Sequence, residues 1–176
     1  PPPSLLFLNQ GPLVLMFRHL IKSLNKITFD RANMILSTTH TNKEAKELTN
    51  DLLGFPFSFY QSLKMGGIGS KRMIIEETSQ NIADYTNKMS DVTYANIELR
   101  PEGIIVLLNK GLNNYTWVIH FRQLVIYKTD RLSIHSQGKY ICFKNNMLYK
   151  ENKKFIAKMI DLKTIYQEKY LNPAYE

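Results

Sequence analysis

From Thr93 onward, apolar and polar residues alternate with the two-residue period that is typical of β-strands. The pattern continues as far as Phe143, and from there the chain changes character. It predicts six short strands, at 93–99, 104–108, 115–120, 124–127, 132–135 and 140–143. Such short strands joined by turns indicate an antiparallel sheet.

Two of the turns between these strands have recognisable chemistry. In the turn at 100–103, Pro101 fixes φ at the first turn position, and Gly103 can adopt the left-handed conformation that closes a hairpin. The pair at 137–138, Gln-Gly, predicts a second tight turn. Both turns favour consecutive strands that pair with each other.

The segment from Glu151 to Tyr170 is predicted to form one amphipathic helix. Its apolar residues recur at spacings that place them on one face of a helix, and lysines cover the other face. The apolar stripe consists of Phe155, Ile156, Met159, Ile160, Leu162 and Tyr166. A helix with one such face should cover one side of the predicted sheet.

The N-terminal segment, 1–64, is predicted to be mainly helical. Helical spacing of apolar residues runs from Leu13 to Leu24 and again over 41–53, and 34–36 is compatible with a short strand. We expect the start of the chain to be a loose tail, partly disordered or non-native, because it opens with three prolines.

A hinge is predicted between the two halves of the chain. The Gly-rich stretch 65–71 forms it, and 72–90, with apolar residues at roughly helical intervals, is predicted to be mostly helix. Just before the hinge lies an aromatic cluster, Phe55, Phe57, Phe59 and Tyr60, which we interpret as a core lid or an interface. The predicted organisation is a helical segment at 1–64, the hinge and helix at 65–92, and the strand-rich domain at 93–176.

Composition places the chain among folded basic proteins. It has 176 residues, of which 44% are hydrophobic, so it can bury a real core. Its net charge is +8, with ten basic against eight acidic residues in 1–93 and thirteen against seven in 94–176. The excess of positive charge on the strand-rich half is compatible with an anionic partner, although an ordinary solvated surface is the simpler interpretation.

Cysteine usage and hydropathy exclude several classes of protein. The single cysteine, Cys142, excludes a disulfide framework and a cysteine-rich zinc site, and it fits a cytoplasmic setting. The most apolar stretch, from Leu5 to Ile21, is interrupted by polar residues and Pro12, so neither a membrane-spanning helix nor a signal peptide is predicted.

The order of strands followed by one helix resembles a bacterial pleckstrin-homology-like (PH-like) domain over residues 93–170. The stretch Trp117 to Leu124 resembles the family's strand that leads into the second sheet, and 132–143 resembles its penultimate hairpin. The resemblance implies an α+β fold, with a small antiparallel β-barrel closed by the C-terminal helix. Because the family has seven strands, the seventh is expected either near Arg72 to Glu76 or to be missing from this chain.

Two features bear on what the resemblance can imply about ligands. Phosphoinositide-binding members carry several basic residues in the first hairpin loop, whereas the turn at 100–103 has one Arg and one Glu. The inherited headgroup site is therefore in doubt. An open barrel of the nucleic-acid-binding type is the alternative all-β reading, and the C-terminal helix argues against it.

No motif predicts catalysis, a metal or a cofactor. The glycines at 66–71 do not have the spacing of a nucleotide-binding loop. A zinc site would need further ligands beside His120 and His135. A nucleophile triad from Ser133 or Ser136 with His135 and Asp130 is disfavoured, since neighbouring strand residues point to opposite faces. We interpret Cys142 as a buried, inert thiol.

Five basic residues of the strand-rich half are the candidate anion or partner surface: Arg122, Lys128, Arg131, Lys139 and Lys144. Tyr127 and Tyr140 lie among them in the sequence and would supply aromatic contacts.

The prediction for function is a non-catalytic binding or scaffold module that contacts a protein or peptide, by strand addition or beside the helix. The first alternative is peripheral association with anionic membrane through Leu13 to Lys26. The second is an enzyme of unrecognised type, which a deep pocket at His120 or His135 would support and a solid interior would oppose. Nucleic acid is a less favoured partner.

Overall fold

Eight strands form one sheet in the computed structural model, which describes residues 35–39, 43–86 and 92–171. In chain order they are β1 (Ile35–Ser37), β2 (Met73–Thr78), β3 (Thr93–Arg100), β4 (Gly103–Lys110), β5 (Asn113–His120), β6 (Val125–Lys128), β7 (Leu132–Ser136) and β8 (Lys139–Phe143). Across the sheet the order is β1-β5-β4-β3-β2-β8-β7-β6, and every neighbouring pair is antiparallel.

The described ranges also contain five helices. They are α1 (Lys43–Leu53), α2 (Phe59–Lys64), α3 (Gln80–Ala83), α4 (Met147–Glu151) and α5 (Lys153–Leu171). The prediction of a helix at 41–53 is confirmed from Lys43 onward, and the short strand near 34–36 is present as β1. The helix predicted from Leu13 to Leu24 lies outside the described residues. None of the described helices is long and apolar enough to cross a membrane.

The six strands predicted from the two-residue period are confirmed as β3 to β8. In β3, for example, Ala95, Ile97 and Leu99 are buried while the residues between them are half-buried. An α+β fold with an antiparallel sheet and a C-terminal helix is therefore confirmed. Gln137 and Gly138 both have positive φ, 46° and 74°, as a two-residue hairpin turn requires.

The helix predicted over 72–90 is wrong for its first part, because residues 73–78 form β2. The first half of β2 pairs with β3 and its second half pairs with β8, with a shift of register between Ile75 and Glu77. Such a shift marks a β-bulge, which bends the strand. The seventh strand expected near Arg72 to Glu76 is therefore found there.

The sheet is open, so the closed barrel that the resemblance implies is wrong. β1 and β6 are the two ends of the sheet order. Closure would require two end strands to bond along their lengths, and these strands are only three and four residues long. The apolar face of the sheet is shielded by α5 instead.

The side chains between the sheet and α5 form one buried, packed core. Trp117, Ile119, Ile134 and Phe143 are each 0% exposed. The helix adds four buried side chains to the same cluster, Phe155, Ile156, Met159 and Tyr166. Removing one such side chain from water contributes about 2–3 kcal/mol. Leu162, predicted on the apolar stripe, is only partly buried.

Asn152 interrupts the predicted C-terminal helix and separates α4 from α5. Its side chain is 2% exposed and meets the backbone of Lys71. The Lys71 N–H donates to Asn152 Oδ1 at 2.9 Å, and Asn152 Nδ2 donates to the Lys71 carbonyl at 3.3 Å and to the Leu148 carbonyl at 2.8 Å. The buried amide thus fastens the start of β2 to the C-terminal helices.

The Gly-rich segment that the sequence analysis interprets as a hinge runs beside β3. The Leu99 N–H donates to the Ile68 carbonyl at 2.8 Å, and the Ser70 N–H donates to the Ile97 carbonyl at 2.7 Å. In return, the Ile97 N–H donates to Ser70 Oγ at 2.8 Å.

Gly103 does not adopt the left-handed conformation predicted for it, because it is the first residue of β4 and pairs with Arg100. A glycine is required there for another reason. A Cβ at this position would overlap the Ile119 carbonyl oxygen and approach Leu53 Cδ2 at 2.7 Å. Glycine is needed here because there is no room for a Cβ, and not because of its φ.

We expect Gly103→Ala to lower the free energy of unfolding by about 3 kcal/mol, because backbone must move to admit the methyl group. Urea denaturation measures the change. Gly69→Ala is the matched control, since a Cβ at Gly69 meets nothing within 4 Å and should change stability by less than about 0.5 kcal/mol. Equal midpoints for wild type and Gly103→Ala would contradict the close packing.

We expect Asn152→Ala to lower the free energy of unfolding by about 2 kcal/mol, because two part-buried hydrogen bonds to the Lys71 backbone and one to the Leu148 carbonyl are lost. Asn152→Asp should lose at least as much, because the carboxylate oxygen in place of Nδ2 would face the Lys71 and Leu148 carbonyls. Asn145→Ala is the control, because it removes one exposed bond to the Asp130 carbonyl. A loss for Asn145→Ala as large as that for Asn152→Ala would argue against this account.

Candidate functional site

The two halves of the sheet differ on their outer face, the face turned away from the solid interior. On β4 and β5, α1 packs against this face, where Leu53, Ile105 and Val118 form a small buried cluster. In the other half, the outer face of β6 carries Val125 and Tyr127, which are 45% and 56% exposed, whereas His135 of β7 and Tyr140 of β8 are half-buried. This second half is the part of the sheet surface that is accessible to a partner.

The strand β6 is also an edge of the sheet. It pairs with β7 from Val125 opposite His135 to Lys128 opposite Leu132. It is the last strand in the sheet order, so its other side has no strand partner among the described residues. An edge strand of this kind offers backbone N–H and C=O groups to another chain.

Three aromatic rings cross the outer face beside that edge. Tyr127 meets His135 edge-on with 5.0 Å between ring centroids, and His135 stacks on Tyr140 at 5.4 Å. We name these three residues the aromatic row. They come from β6, β7 and β8, so the strand pairing itself brings them together.

Polar groups surround the aromatic row. His135 Nε2 lies 3.0 Å from Ser133 Oγ, and the Tyr140 hydroxyl donates to Glu77 Oε1 at 2.6 Å. Arg131 pairs with Glu76 at 2.7 Å and lies 4.0 Å from Glu77. Both carboxylates are exposed because the bulge in β2 turns two consecutive residues outward.

Three titratable groups here have a pKa shifted in the direction that favours the neutral form. Burial lowers the pKa of His135, and the hydrogen bond to Glu77 raises the pKa of Tyr140. Burial also raises the pKa of Cys142, the free thiol behind the row. A reactive cysteine needs the opposite shift, so the environment of Cys142 does not activate its thiol.

The five basic residues predicted as a partner surface take three locations. Lys128, Arg131 and Lys144 lie at one end of β6, β7 and β8, and Lys139 lies at the other end, opposite Ser136. Arg122 lies in the turn after β5, where its Nε donates to the Tyr166 hydroxyl at 3.2 Å. Three of the five are therefore brought together, and Arg131 is paired with acidic residues.

A second polar cluster surrounds His120 at the end of β5. The Arg122 N–H donates to His120 Nδ1 at 3.1 Å, and His120 Nε2 lies 3.4 Å from Glu102 Oε2. The ring meets Tyr166 of α5 edge-on at 5.3 Å. Burial lowers the pKa of His120, and Glu102 opposes that effect.

One cavity bounded by described residues lies away from both histidines. That cavity, of about 340 Å³, is bounded by Arg72, Val92, Thr93, Tyr94, Asn96 and Asn109, none of which is an acid or a histidine. The Arg72 guanidinium lies 4.9 Å above the Tyr94 ring. In the described part of the chain, no three His, Cys, Asp or Glu side chains are grouped so that they could hold a metal ion.

Sequence reasoning named the histidines, the tyrosines and the basic residues, and it missed Glu76 and Glu77. The reason is that 72–90 was predicted to be mostly helix, on which these side chains would not face β8. Two adjacent isoleucines and a threonine in β2 are residues that favour strands, and they were the available signal.

We expect the His120 imidazole to titrate below its usual pKa of about 6.5 in the folded protein, measured by NMR. The unfolded chain then binds more protons near and below pH 6.5. Stability should therefore fall as the pH drops through that region toward the folded pKa. His120→Asn, which can still accept from the Arg122 N–H, should show a weaker pH dependence. Titration above 6.5 would contradict the effect of burial.

The chain was also compared with known proteins. It gives no match to protein-family models, to curated proteins or to solved structures.

Proposed function

We propose that the chain is a non-catalytic PH-like binding module that holds an extended peptide by strand addition to β6. The observation that carries the proposal is the edge of β6, which has no second strand partner among the described residues, beside the exposed Tyr127 of the aromatic row. Main-chain hydrogen bonds to an edge strand provide affinity, and neighbouring side chains provide specificity.

The strand order supports the PH-like part of the proposal. β2 to β5 form one run of neighbouring antiparallel strands and β6 to β8 form another, and β2 joins the two by pairing with β8. An amphipathic helix follows and packs on the interior face, as the resemblance implies. β1 and the open edge are additions to that pattern.

The register of the sheet supports peptide addition at this edge. Glu77 lies opposite Cys142, Cys142 opposite Ser133, and Ser133 opposite Tyr127, so one row of side chains crosses the outer face to β6. A strand added beside Tyr127 would extend this row by one residue. Its outward side chain would contact the tyrosine ring, which has the exposed area of a binding hot spot.

The charges around the edge favour a peptide with acidic residues. From His120 to Thr129 the sequence contains Arg122 and Lys128 and no Asp or Glu; Asp130 follows, and Glu76 and Glu77 lie beside Arg131. Lys139 and Lys144 add positive charge from β8 and the segment that follows it. Such an arrangement accelerates association with an acidic partner and makes binding sensitive to salt.

The two alternatives from the sequence receive different support. The membrane alternative was based on Leu13 to Lys26, which lies outside the described residues. The enzyme alternative depends on a deep pocket at His120 or His135, and the support for it is weaker because Trp117 and Phe143 are fully buried in the interior. Peptide binding therefore rests on the more direct observations.

The test is selection of binders from a library of ten-residue peptides, followed by amide hydrogen exchange on the complex. Bound peptide should protect amides within Val125–Lys128, and N-methylation of alternate peptide amides should abolish binding. Tyr127→Ala should weaken affinity about tenfold, as loss of a hot-spot ring does. Tyr60→Ala is the control, since Tyr60 is 74% exposed on a different surface.

Two outcomes would count against strand addition. One is selected peptides that protect another surface and leave 125–128 unchanged. The other is a library that yields no binder at low salt.

A further inference from the structure

Four large apolar side chains between the end of α1 and the end of α2 face solvent. Phe55 is 78% exposed, Phe59 86%, Tyr60 74% and Leu63 68%. We name these four residues the aromatic ridge. An exposed apolar group of this size marks a contact with a partner or a membrane.

The aromatic ridge is carried on a well-fixed backbone. A capping box begins α2, in which the Gln61 N–H donates to Ser58 Oγ at 3.3 Å and the Ser58 N–H donates to Gln61 Oε1 at 2.9 Å. After the helix, the Gly67 N–H donates to the Ser62 carbonyl at 2.8 Å. Phe57 and Met65 pack against the interior from the same segment. The exposed side chains are thus held outward by a tethered scaffold.

The helix α2 lies on the surface of the protein. No residue of α2 is buried, so the whole helix stands on the surface and Phe59 and Leu63, one turn apart, share a side of it. A projecting group of apolar side chains can enter a lipid bilayer without a matching pocket in the partner. Aromatic and aliphatic side chains of this kind lie favourably at the boundary between lipid headgroups and acyl chains.

The charge around the aromatic ridge specifies the kind of lipid. From Leu52 to Ile75 the sequence contains no Asp or Glu, and it contains Lys64, Lys71 and Arg72. Lys64 is exposed at the end of α2, directly after Leu63. Lys158 of α5 reaches the same segment and donates to the Gly67 carbonyl at 2.6 Å. Lys71 is paired with Glu151 at 3.0 Å, so the positive charge directly beside the apolar projection is that of Lys64.

We propose that the aromatic ridge inserts into the headgroup region of an anionic lipid bilayer, with Lys64 at the lipid phosphates. The ridge lies near the β3–β4 turn, where Gly54 packs against Pro101, whereas the peptide edge is β6 at the end of the sheet. The proposal uses no residue of the aromatic row and does not depend on peptide binding.

The first test uses Phe59→Trp as a reporter in the full chain. The native Trp117 is 0% exposed, so its emission is already that of a buried indole and gives a constant background. Phosphatidylcholine vesicles that contain phosphatidylglycerol should shift the new emission to shorter wavelength. Pure phosphatidylcholine vesicles should produce a smaller shift, and high salt should reduce the response to anionic vesicles.

The second test is co-sedimentation of variants with the same anionic vesicles. The double variant Phe59→Ser and Leu63→Ser should bind at least tenfold more weakly while unfolding at the wild-type urea midpoint, because both side chains are exposed. Lys64→Glu should weaken binding about twentyfold, since it removes one favourable charge and adds a repelling one. Leu112→Ser is the control, because Leu112 is 94% exposed at the other end of β4 and should bind as wild type.

Each of four results would overturn the proposal. The first is an unchanged Phe59→Trp emission with anionic vesicles at low salt, and the second is full binding by the double variant. The third is a reporter emission already at short wavelength without lipid. The fourth is a wild-type dimer that the double variant converts to monomer. The third would mean that protein covers the ridge, and the fourth that a second copy of the chain does.

Discussion

The rest of the sheet depends on the two-sided pairing of β2. Its first residues pair with β3 and its last residues pair with β8; Ile75 pairs with both, and the bulge between Ile75 and Glu77 lies within the pairing with β8. Without it, β1-β5-β4-β3 and β8-β7-β6 would be separate sheets, each with an additional unpaired edge. The strand is also tied at its start, through the hydrogen bonds between Lys71 and Asn152.

The same bulge shapes the surface that we propose for binding. Because two consecutive residues turn outward, Glu76 pairs with Arg131 and Glu77 accepts a hydrogen bond from Tyr140. These contacts hold two side chains of the outer face in defined positions beside the aromatic row. A feature that joins the two parts of the sheet therefore also organises the candidate site.

The molecule presents two exposed apolar surfaces with positive charge near each. One is the β6 edge with Tyr127, and the other is the aromatic ridge near the β3–β4 turn. If both proposals hold, a peptide could be bound by a protein that rests on an anionic membrane. Since the two surfaces share no residue, each proposal can be tested and rejected without affecting the other.

Local patterns in the chain were sufficient for β3 to β8 and for the apolar face of α5. There, side-chain alternation and helical spacing match which residues are buried. β2 could not be assigned this way, because its Ile-Ile-Glu-Glu order lacks a clear period and its state depends on partners from both sides. Gly103 was assigned a turn role, whereas the reason for glycine there is the Ile119 carbonyl, distant in sequence.

The location of the five basic residues could not be predicted from local patterns either. They lie at two ends of the strands and in a turn, and the register of the β-sheet determines this placement. Sheet closure and the exposure of the ridge likewise depend on contacts between distant segments. Short-range periodicity determines which elements form, and only tertiary contacts determine which of their surfaces remain exposed.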